Sequence, residues 1–117
     1  MSAPRLETID ASNWREFIQA PVAVLMIGKS DCDACRSYGD ELVEWLADAT
    51  VWPDVRFGKM ILDAGGLVDF KRASPWLAEL DTLPFTQIYI GGERWKAFAG
   101  GGVARLESRL RGLPTSS

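Results

Sequence analysis

Two cysteines, Cys32 and Cys35, are the residues of this 117-residue sequence whose type and spacing most directly suggest chemistry. They are the only cysteines, and both lie in one stretch, Cys32-Asp33-Ala34-Cys35. Such a dithiol can attack a disulfide, resolve the mixed disulfide and become a disulfide itself. Half of a zinc site has the same spacing, but zinc takes four ligands, so the other two would come from another chain. An incidental buried pair is the third interpretation.

The composition restricts the other kinds of site. The sequence contains no histidine, which excludes Ser-His-Asp and Cys-His catalysis and histidine-ligated zinc or haem. The net charge is −3 and the basic residues are scattered, so we expect no nucleic acid partner. A hydrophobic content of 47% and a charged content of 25% are typical of a globular protein. The length predicts a single domain over residues 1–117.

The N-terminus and the cysteine content together predict a cytoplasmic protein. Residues 1–8 lack the basic and apolar regions of a signal peptide, and no apolar run approaches the ~20 residues of a membrane span. We therefore expect no membrane association. Disulfide-stapled secreted proteins usually carry more cysteines, spread along the chain. In the cytosol an isolated C-x-x-C is more often catalytic or metal-binding than structural.

The hydrophobic pattern places the cysteines after a buried strand. Residues 22–27 form a continuous apolar run, typical of a strand that is covered on both faces. A helix is predicted from about residue 33 to 49, so the dithiol lies where the strand's loop enters that helix. A helix N-terminus carries unpaired N–H groups and a partial positive charge, which stabilise a Cys32 thiolate. Cys35, one turn further on, lies on the same side and can close the ring.

The rest of the chain predicts an α/β order, β-α-β-α-β-α-β-β-α. The first helix is expected to be capped by Asp10 or Ser12, and Gly91-Gly92 is a tight-hairpin turn. The predicted elements are a strand over 5–9, a helix to 19, strand 22–27, helix 33–49, strand 55–62, one or two short helices within 64–82, strands 85–90 and 94–98, and helix 103–111.

On these features the chain resembles the thioredoxin family over about residues 5–112. The resemblance implies the thioredoxin fold, a central mixed β-sheet of about five strands flanked by about four helices. Beyond the strand-loop-C-x-x-C-helix unit, the residues that carry it are Lys59, Asp63, Thr82, Leu83, Pro84, Gly92 and Gly100.

The resemblance implies a thiol–disulfide oxidoreductase that reduces protein disulfides without a bound cofactor. Cys32 would be the nucleophile and Cys35 the resolving thiol. A flavoprotein such as thioredoxin reductase, or another dithiol donor, would supply the electrons that the protein transports. It also implies a cis Leu83-Pro84 bond beside the dithiol, with Leu83, Pro84 and Gly100 lining the groove for an extended substrate segment. We expect a monomer.

The chain departs from the family's pattern around the dithiol. Asp33-Ala34 replaces the common Gly-Pro between the cysteines, and Asp31 stands in place of a tryptophan. Met26 occupies the position of a buried carboxylate that helps to deprotonate the second cysteine, whereas that carboxylate's lysine partner is kept as Lys59. These five residues are the candidates for tuning the dithiol.

The two aspartates predict a weakly stabilised thiolate. Like charges at Asp31 and Asp33 disfavour the thiolate of Cys32, and Lys29 and Arg36 offset this in part. We expect the pKa of the nucleophile to lie nearer the free-thiol value of about 8.5 than the strongly depressed values of oxidases. A less stabilised reduced form makes the couple a reducing one.

Met26 predicts slow resolution of mixed disulfides, because Cys35 then lacks a nearby base. Lys59 could substitute for that base if it is buried, and a lysine that reaches solvent at the sheet edge is the alternative.

Two other functions remain open from the sequence. A glutaredoxin-like, glutathione-linked oxidoreductase is compatible with Thr82-Leu83-Pro84, although the strand and helix predicted over residues 5–19 favour the thioredoxin arrangement. The altered residues around the dithiol also allow a non-catalytic adaptor that keeps the fold for protein binding.

Overall fold

The apolar runs of the sequence form the strands of one five-stranded mixed sheet in a computed structural model that describes residues 5–114. The elements, in chain order, are β1 (Leu6–Thr8), α1 (Trp14–Ile18), β2 (Val22–Gly28), α2 (Asp33–Leu46), β3 (Arg56–Ile61), α3 (Val68–Ala73), a 3₁₀ helix (Pro75–Glu79), β4 (Phe85–Ile90), β5 (Glu93–Ala99) and α4 (Val103–Leu110). The predicted order and the predicted five-stranded mixed sheet with four α-helices are confirmed.

The strand order explains why the apolar run of β2 is continuous. The order is β1-β3-β2-β4-β5, in which β1, β3 and β2 run parallel and β4 and β5 run antiparallel to their neighbours. β2 is therefore the central strand, and it has apolar layers on both faces. Within residues 5–114, no helix is both long and apolar enough to span a membrane.

Alternate residues of β2 belong to two separate apolar clusters, one on each face of the sheet. Leu25 and Ile27 pack with residues of α1 and α3, while Val24 and Met26 pack with residues of α2 and α4. The first cluster consists of Ile9, Trp14, Phe17, Ala20, Ala23, Leu25, Ile27, Met60, Leu67, Phe70 and Tyr89. The second consists of Val24, Met26, Tyr38, Leu42, Leu46, Val55, Phe57, Ile88, Phe98, Leu106 and Leu110.

The first helix begins later than predicted, and its predicted cap is wrong. Helix α1 has Asn13 at its N-cap position. The Asp10 carboxylate instead accepts hydrogen bonds from the backbone N–H (2.9 Å) and the hydroxyl (2.6 Å) of Ser12. These local bonds stabilise a turn before the helix, as aspartate side chains commonly do.

The helix that carries the dithiol ends three residues earlier than predicted. Helix α2 stops at Leu46, and Ala49, the last residue of the predicted helix, is exposed. The carboxylate of Asp48 accepts hydrogen bonds from the backbone N–H (2.9 Å) and the hydroxyl (2.6 Å) of Thr50. This turn competes with further helical hydrogen bonds.

Candidate active site at the start of helix α2

The two cysteines are joined by a disulfide at the point where β2 leads into α2. Cys32 is the N-cap residue of α2 and has extended backbone angles (φ −111°, ψ 107°). Its Sγ accepts a hydrogen bond from the backbone N–H of Cys35 at 3.1 Å, and the two Cα atoms are 5.2 Å apart. The sulfur therefore takes the place that a capping oxygen usually occupies at a helix N-terminus.

The two sulfurs differ in their access to solvent. Cys35 is only 3% exposed, whereas Cys32 is half-buried. A bulky external disulfide can therefore reach Cys32 but not its partner. Gly28, the last residue of β2, makes room for this arrangement, because a Cβ atom there would lie 2.9 Å from the Sγ of Cys35. The local sequence pattern does not predict this requirement.

The structure places the three predicted substrate-binding residues around one open groove beside the dithiol. The groove has a volume of about 620 Å³ and is lined by Leu83, Pro84 and Gly100 together with Ala34 of α2. The Leu83–Pro84 peptide bond is cis, and the Leu83 carbonyl oxygen lies 3.9 Å from the Sγ of Cys32. The Gly100 N–H donates to the Pro84 carbonyl at 2.7 Å. Gly100 has φ +83°, a conformation that favours glycine.

A tyrosine and a second glycine form a wall of this groove that the sequence analysis did not identify. Gly101 packs so closely on the ring of Tyr38 that a Cβ atom would lie 2.6 Å from its Cγ. The Tyr38 hydroxyl accepts a hydrogen bond from the Thr86 hydroxyl at 3.2 Å. Burial is the main cause that raises the pKa of Tyr38 to about 12, so the phenol stays neutral at physiological pH. The run of three glycines from Gly100 to Gly102 is the sequence feature that could have indicated this wall.

A smaller cavity of about 220 Å³ lies on the other side of α2 and reaches both cysteines. Its wall includes Met26, which is 1% exposed, and Lys59, the partner of Met26 in the β2–β3 register. Gly39 of α2 lies above the pair, since a Cβ atom there would be 3.7 Å from the Met26 Cε and 4.0 Å from the Lys59 Cδ.

Lys59 is half-buried. Its exposure is therefore intermediate between the buried lysine that could act as a base and the lysine that reaches solvent at the sheet edge. Its aliphatic stem packs under Gly39 of α2, and the residue lines the cavity that contains Cys35.

The other tuning candidates are exposed. Asp31 and Ala34 are exposed, and the Asp33 side chain is 96% exposed. One Asp33 oxygen lies 3.4 Å from an Nη of Arg36, three residues further along the helix. The charge of Asp33 is therefore shared with a cation and screened by water, so it acts on Cys32 less strongly than its position in the sequence suggests.

Ser30 and Asp63 connect the dithiol loop to the end of β3. The Asp63 carboxylate accepts hydrogen bonds from the Ser30 N–H at 3.0 Å and from its hydroxyl at 2.5 Å. The hydroxyl bond, then the backbone bond and, more weakly, the charge of Lys29 hold the pKa of Asp63 below its ordinary value. Asp63 was expected only as one of the residues that carry the family resemblance, and nothing in the sequence pattern indicated a role for Ser30.

Among residues 5–114, no group of three or more His, Cys, Asp or Glu side chains is placed to hold a metal ion. The zinc alternative would therefore still need its other two ligands from another chain.

The comparisons with known proteins give the fold. No protein-family model and no curated protein matches the sequence. The structure is similar to thioredoxin O2 of Arabidopsis thaliana in its oxidised state, with a TM-score of 0.71 and 22% identity over 94% of this chain and 95% of that one. It is similar to the short form of spinach chloroplast thioredoxin f, with a TM-score of 0.73 and 15% identity over 95% and 96%. It is also similar to thioredoxin f2 of Chlamydomonas reinhardtii, with a TM-score of 0.71 and 18% identity over 91% and 94%.

These structural similarities cover almost the whole chain, and they establish its fold. The chain has the thioredoxin fold, with a cysteine pair that forms a disulfide at the start of its second α-helix.

Proposed function

We propose that this protein is a thiol–disulfide oxidoreductase that reduces protein disulfides through Cys32 and Cys35. The observation that supports this most directly is the geometry of the pair. The accessible sulfur lies at a helix N-terminus, 3.9 Å from the carbonyl oxygen of the groove residue Leu83, and its buried partner is close enough to form a disulfide with it.

In the first step the Cys32 thiolate attacks one sulfur of a substrate disulfide. A bond forms between the Sγ of Cys32 and that sulfur, the substrate disulfide breaks, and its second sulfur leaves as a thiolate. The Cys35 N–H that points at Sγ and the N-terminus of α2 both stabilise the attacking thiolate.

In the second step the Cys35 thiolate attacks the Sγ of Cys32. The mixed disulfide breaks, the first substrate sulfur leaves as a thiolate, and the protein becomes the intramolecular disulfide seen in the structure. The dithiol loses two electrons and two protons, and the substrate gains them as two thiols. In this product the N–H of Cys35 donates a hydrogen bond to the Sγ of Cys32 at 3.1 Å.

The groove supports substrate docking by strand addition. Its lining is largely apolar, and the backbone at Leu83 borders Cys32. An extended segment in this groove would form backbone hydrogen bonds near Leu83 while its disulfide meets Cys32. Burial of Cys35 keeps this thiol from reacting with bulky external disulfides.

We propose further that the protein works as a cytosolic monomer and is regenerated by a dithiol donor or by a flavoprotein of the thioredoxin reductase class. The chain's own residues supply only a dithiol, so each turnover requires two electrons from outside. Reduction by glutathione alone would instead favour the glutaredoxin-like alternative. Measuring regeneration with each of the two reductants separates these possibilities.

The test of the proposed function is insulin reduction with dithiothreitol as the electron source. We expect the wild-type protein to accelerate precipitation of the insulin B chain and Cys32→Ser to abolish the acceleration. Cys35→Ser should form a mixed disulfide but not turn over. Equal rates for wild type and Cys32→Ser, with both proteins folded by circular dichroism, would contradict the proposal and favour the adaptor.

A further inference from the structure

One carboxylate lines the groove in which the substrate segment would lie, and exposed aspartates adjoin its lining residues or Cys32 in the chain. Glu41 of α2 lines the groove directly, and its carboxylate accepts the Val103 N–H at 3.3 Å. Asp33 precedes the lining residue Ala34, and its side chain projects into solvent. Asp81 is exposed and precedes the lining residue Thr82, and Asp31 is exposed immediately before Cys32.

The cations near the dithiol lie mainly on the opposite side of α2. Lys29, Arg36 and Lys59 line the smaller cavity behind the helix, together with the carboxylate of Asp40. The two sides of the helix therefore differ in charge: three cations and one carboxylate line the cavity behind it, whereas the charged lining residue of the groove is Glu41. This difference gives the two sides of the dithiol different electrostatic potentials.

One cation does approach the groove, but its guanidinium is already engaged. Arg105 donates a hydrogen bond to the Ala99 carbonyl at 3.0 Å and lies 4.7 Å from the centre of the Phe98 ring. It is close to Gly100, where a Cβ atom would lie 3.2 Å from an Nη. Arg36, the partner of Asp33, offsets one further carboxylate. With both arginines counted against Glu41, Asp31, Asp33 and Asp81, two negative charges remain on or next to the lining of the groove.

We infer that the groove selects protein disulfides flanked by lysine or arginine in an extended segment. This inference rests on the proposed function and adds a substrate class to it. The apolar floor accepts an extended segment of any sequence, whereas Glu41 and the aspartates next to the groove's lining residues discriminate by charge. Surface charges of this kind affect the association rate and the choice of partner more than the final affinity.

A cationic substrate would also relieve the cost that the aspartates impose on the nucleophile. In the free protein Asp31, and less strongly Asp33 because Arg36 pairs with it, disfavours the Cys32 thiolate, since like charges raise a thiol's pKa. A lysine or arginine placed beside them by the docked segment neutralises this repulsion as the disulfide arrives. The same cation lowers the pKa of the substrate's leaving thiol, which accelerates its departure. The acidic groove therefore favours attack on the cationic class of substrate.

The test uses three synthetic peptides of equal length that carry one disulfide in the same context and are flanked by lysine, glutamine or glutamate. Reduced protein is mixed with each peptide, and the product thiol is quantified after an acid quench. We expect second-order rates in the order lysine, glutamine, glutamate. At low ionic strength an exposed ion pair changes the rate by up to about fivefold, as a gain for the lysine peptide and as a loss for the glutamate peptide. The ratio of the lysine rate to the glutamate rate should therefore be roughly tenfold or more. In 0.5 M NaCl, where the Debye length is roughly 4 Å, the ratio should fall towards about twofold.

Matched variants locate the effect in the groove. Asp33→Asn combined with Glu41→Gln should lower the lysine-to-glutamate ratio at least threefold. Glu44→Gln should leave it unchanged, because Glu44 is an exposed carboxylate of the same helix that does not line the groove. If the double variant is unstable, Asp81→Asn is measured in its place. This change lies in the loop before β4 and not in α2, and it should also lower the lysine-to-glutamate ratio.

The outcomes separate this inference from the proposed function. Equal rates for the three peptides, or a ratio unaffected by the variants and by salt, would overturn the inference and leave the oxidoreductase proposal intact. Reduction of none of the peptides above the buffer rate would overturn the proposed function itself.

Discussion

Cys32 is subject to opposing influences from residues that are its neighbours in the chain. The Cys35 N–H and the start of α2 favour its thiolate, while Asp31 and Asp33 disfavour it. The pairing of Asp33 with Arg36 leaves Asp31 as the carboxylate that most directly opposes the thiolate.

We predict that the pKa of Cys32 in the reduced protein lies near the free-thiol value of about 8.5 and that Asp31→Asn lowers it. Titration of the ultraviolet thiolate absorbance of Cys35→Ser proteins measures it without interference from the second thiol. Glu44→Gln is the control for a distant carboxylate. An apparent pKa below about 5, in the range of oxidases, would contradict the prediction.

Met26 offers a second prediction at this scale. Met26→Asp places a carboxylate in the cavity that contains Cys35 and Lys59, so we expect faster resolution of a mixed disulfide at Cys32 by roughly tenfold or more. The variant should also lose about 1–3 kcal/mol of stability, because the site is buried. Single-turnover release of a chromogenic thiol from the mixed disulfide measures the rate. Met26→Asn is the size-matched control, and equal acceleration by both variants would rule out a role for the carboxylate.

At the scale of elements, the loop before the dithiol is held to β3 by the hydrogen bonds between Ser30 and Asp63. The pKa of Asp63 is lower in the folded protein than its ordinary value of 3.8. A lowered pKa means that the folded state gains stability above pH 3.8 and loses that gain as the pH falls through the lower value.

We therefore predict that Asp63→Asn lowers the melting temperature at neutral pH and that the difference from wild type shrinks in acid. Thermal unfolding of both proteins between about pH 2 and 7 tests this. Asp54→Asn, an exposed aspartate, is the control. If the difference in melting temperature between wild type and Asp63→Asn is the same at every pH, the charge of the Asp63 carboxylate does not cause the stabilisation.

The contact between the loop before α4 and helix α2 gives another prediction. Gly101→Ala forces a Cβ atom to within 2.6 Å of the Tyr38 ring, so we expect a loss of about 1–3 kcal/mol in the free energy of unfolding. Gly65→Ala is the matched control, because no atom lies within 4 Å of a Cβ there. Urea denaturation compares the two, and equal stability would show that the loop moves aside without cost.

At the scale of the whole molecule, the shared sheet should make the two apolar layers unfold together. Leu25 and Ile88 are fully buried on opposite faces of the sheet, and alanine at either position should cost about 2–5 kcal/mol. We predict that each variant still unfolds in one transition, monitored by tryptophan fluorescence and circular dichroism, because β2 contributes to both layers. Transitions that separate between the two probes would show that the layers unfold independently.

The elements and the position of the dithiol were predictable because their signals are local. The continuous apolar run of β2 and the C-x-x-C before an amphipathic stretch depend on residues close together in the sequence. The end of α2 was not predicted, since Asp48 can either continue a helix or form a turn with Thr50, and only the surrounding structure decides between them.

Local patterning in the sequence was therefore enough to specify which residues form the dithiol and where the dithiol lies along the chain. The environment of the dithiol depends on residues far apart in the sequence: Asp63 bonds Ser30, Gly101 packs on Tyr38, and the groove joins residues of α2 with Leu83 and Gly100. Packing of the sheet against its helices brings these residues together. The spacing of residues along the chain does not predict such contacts. They depend on how separate helices and strands pack against one another, whereas the sequence pattern predicts each helix or strand only from its own residues.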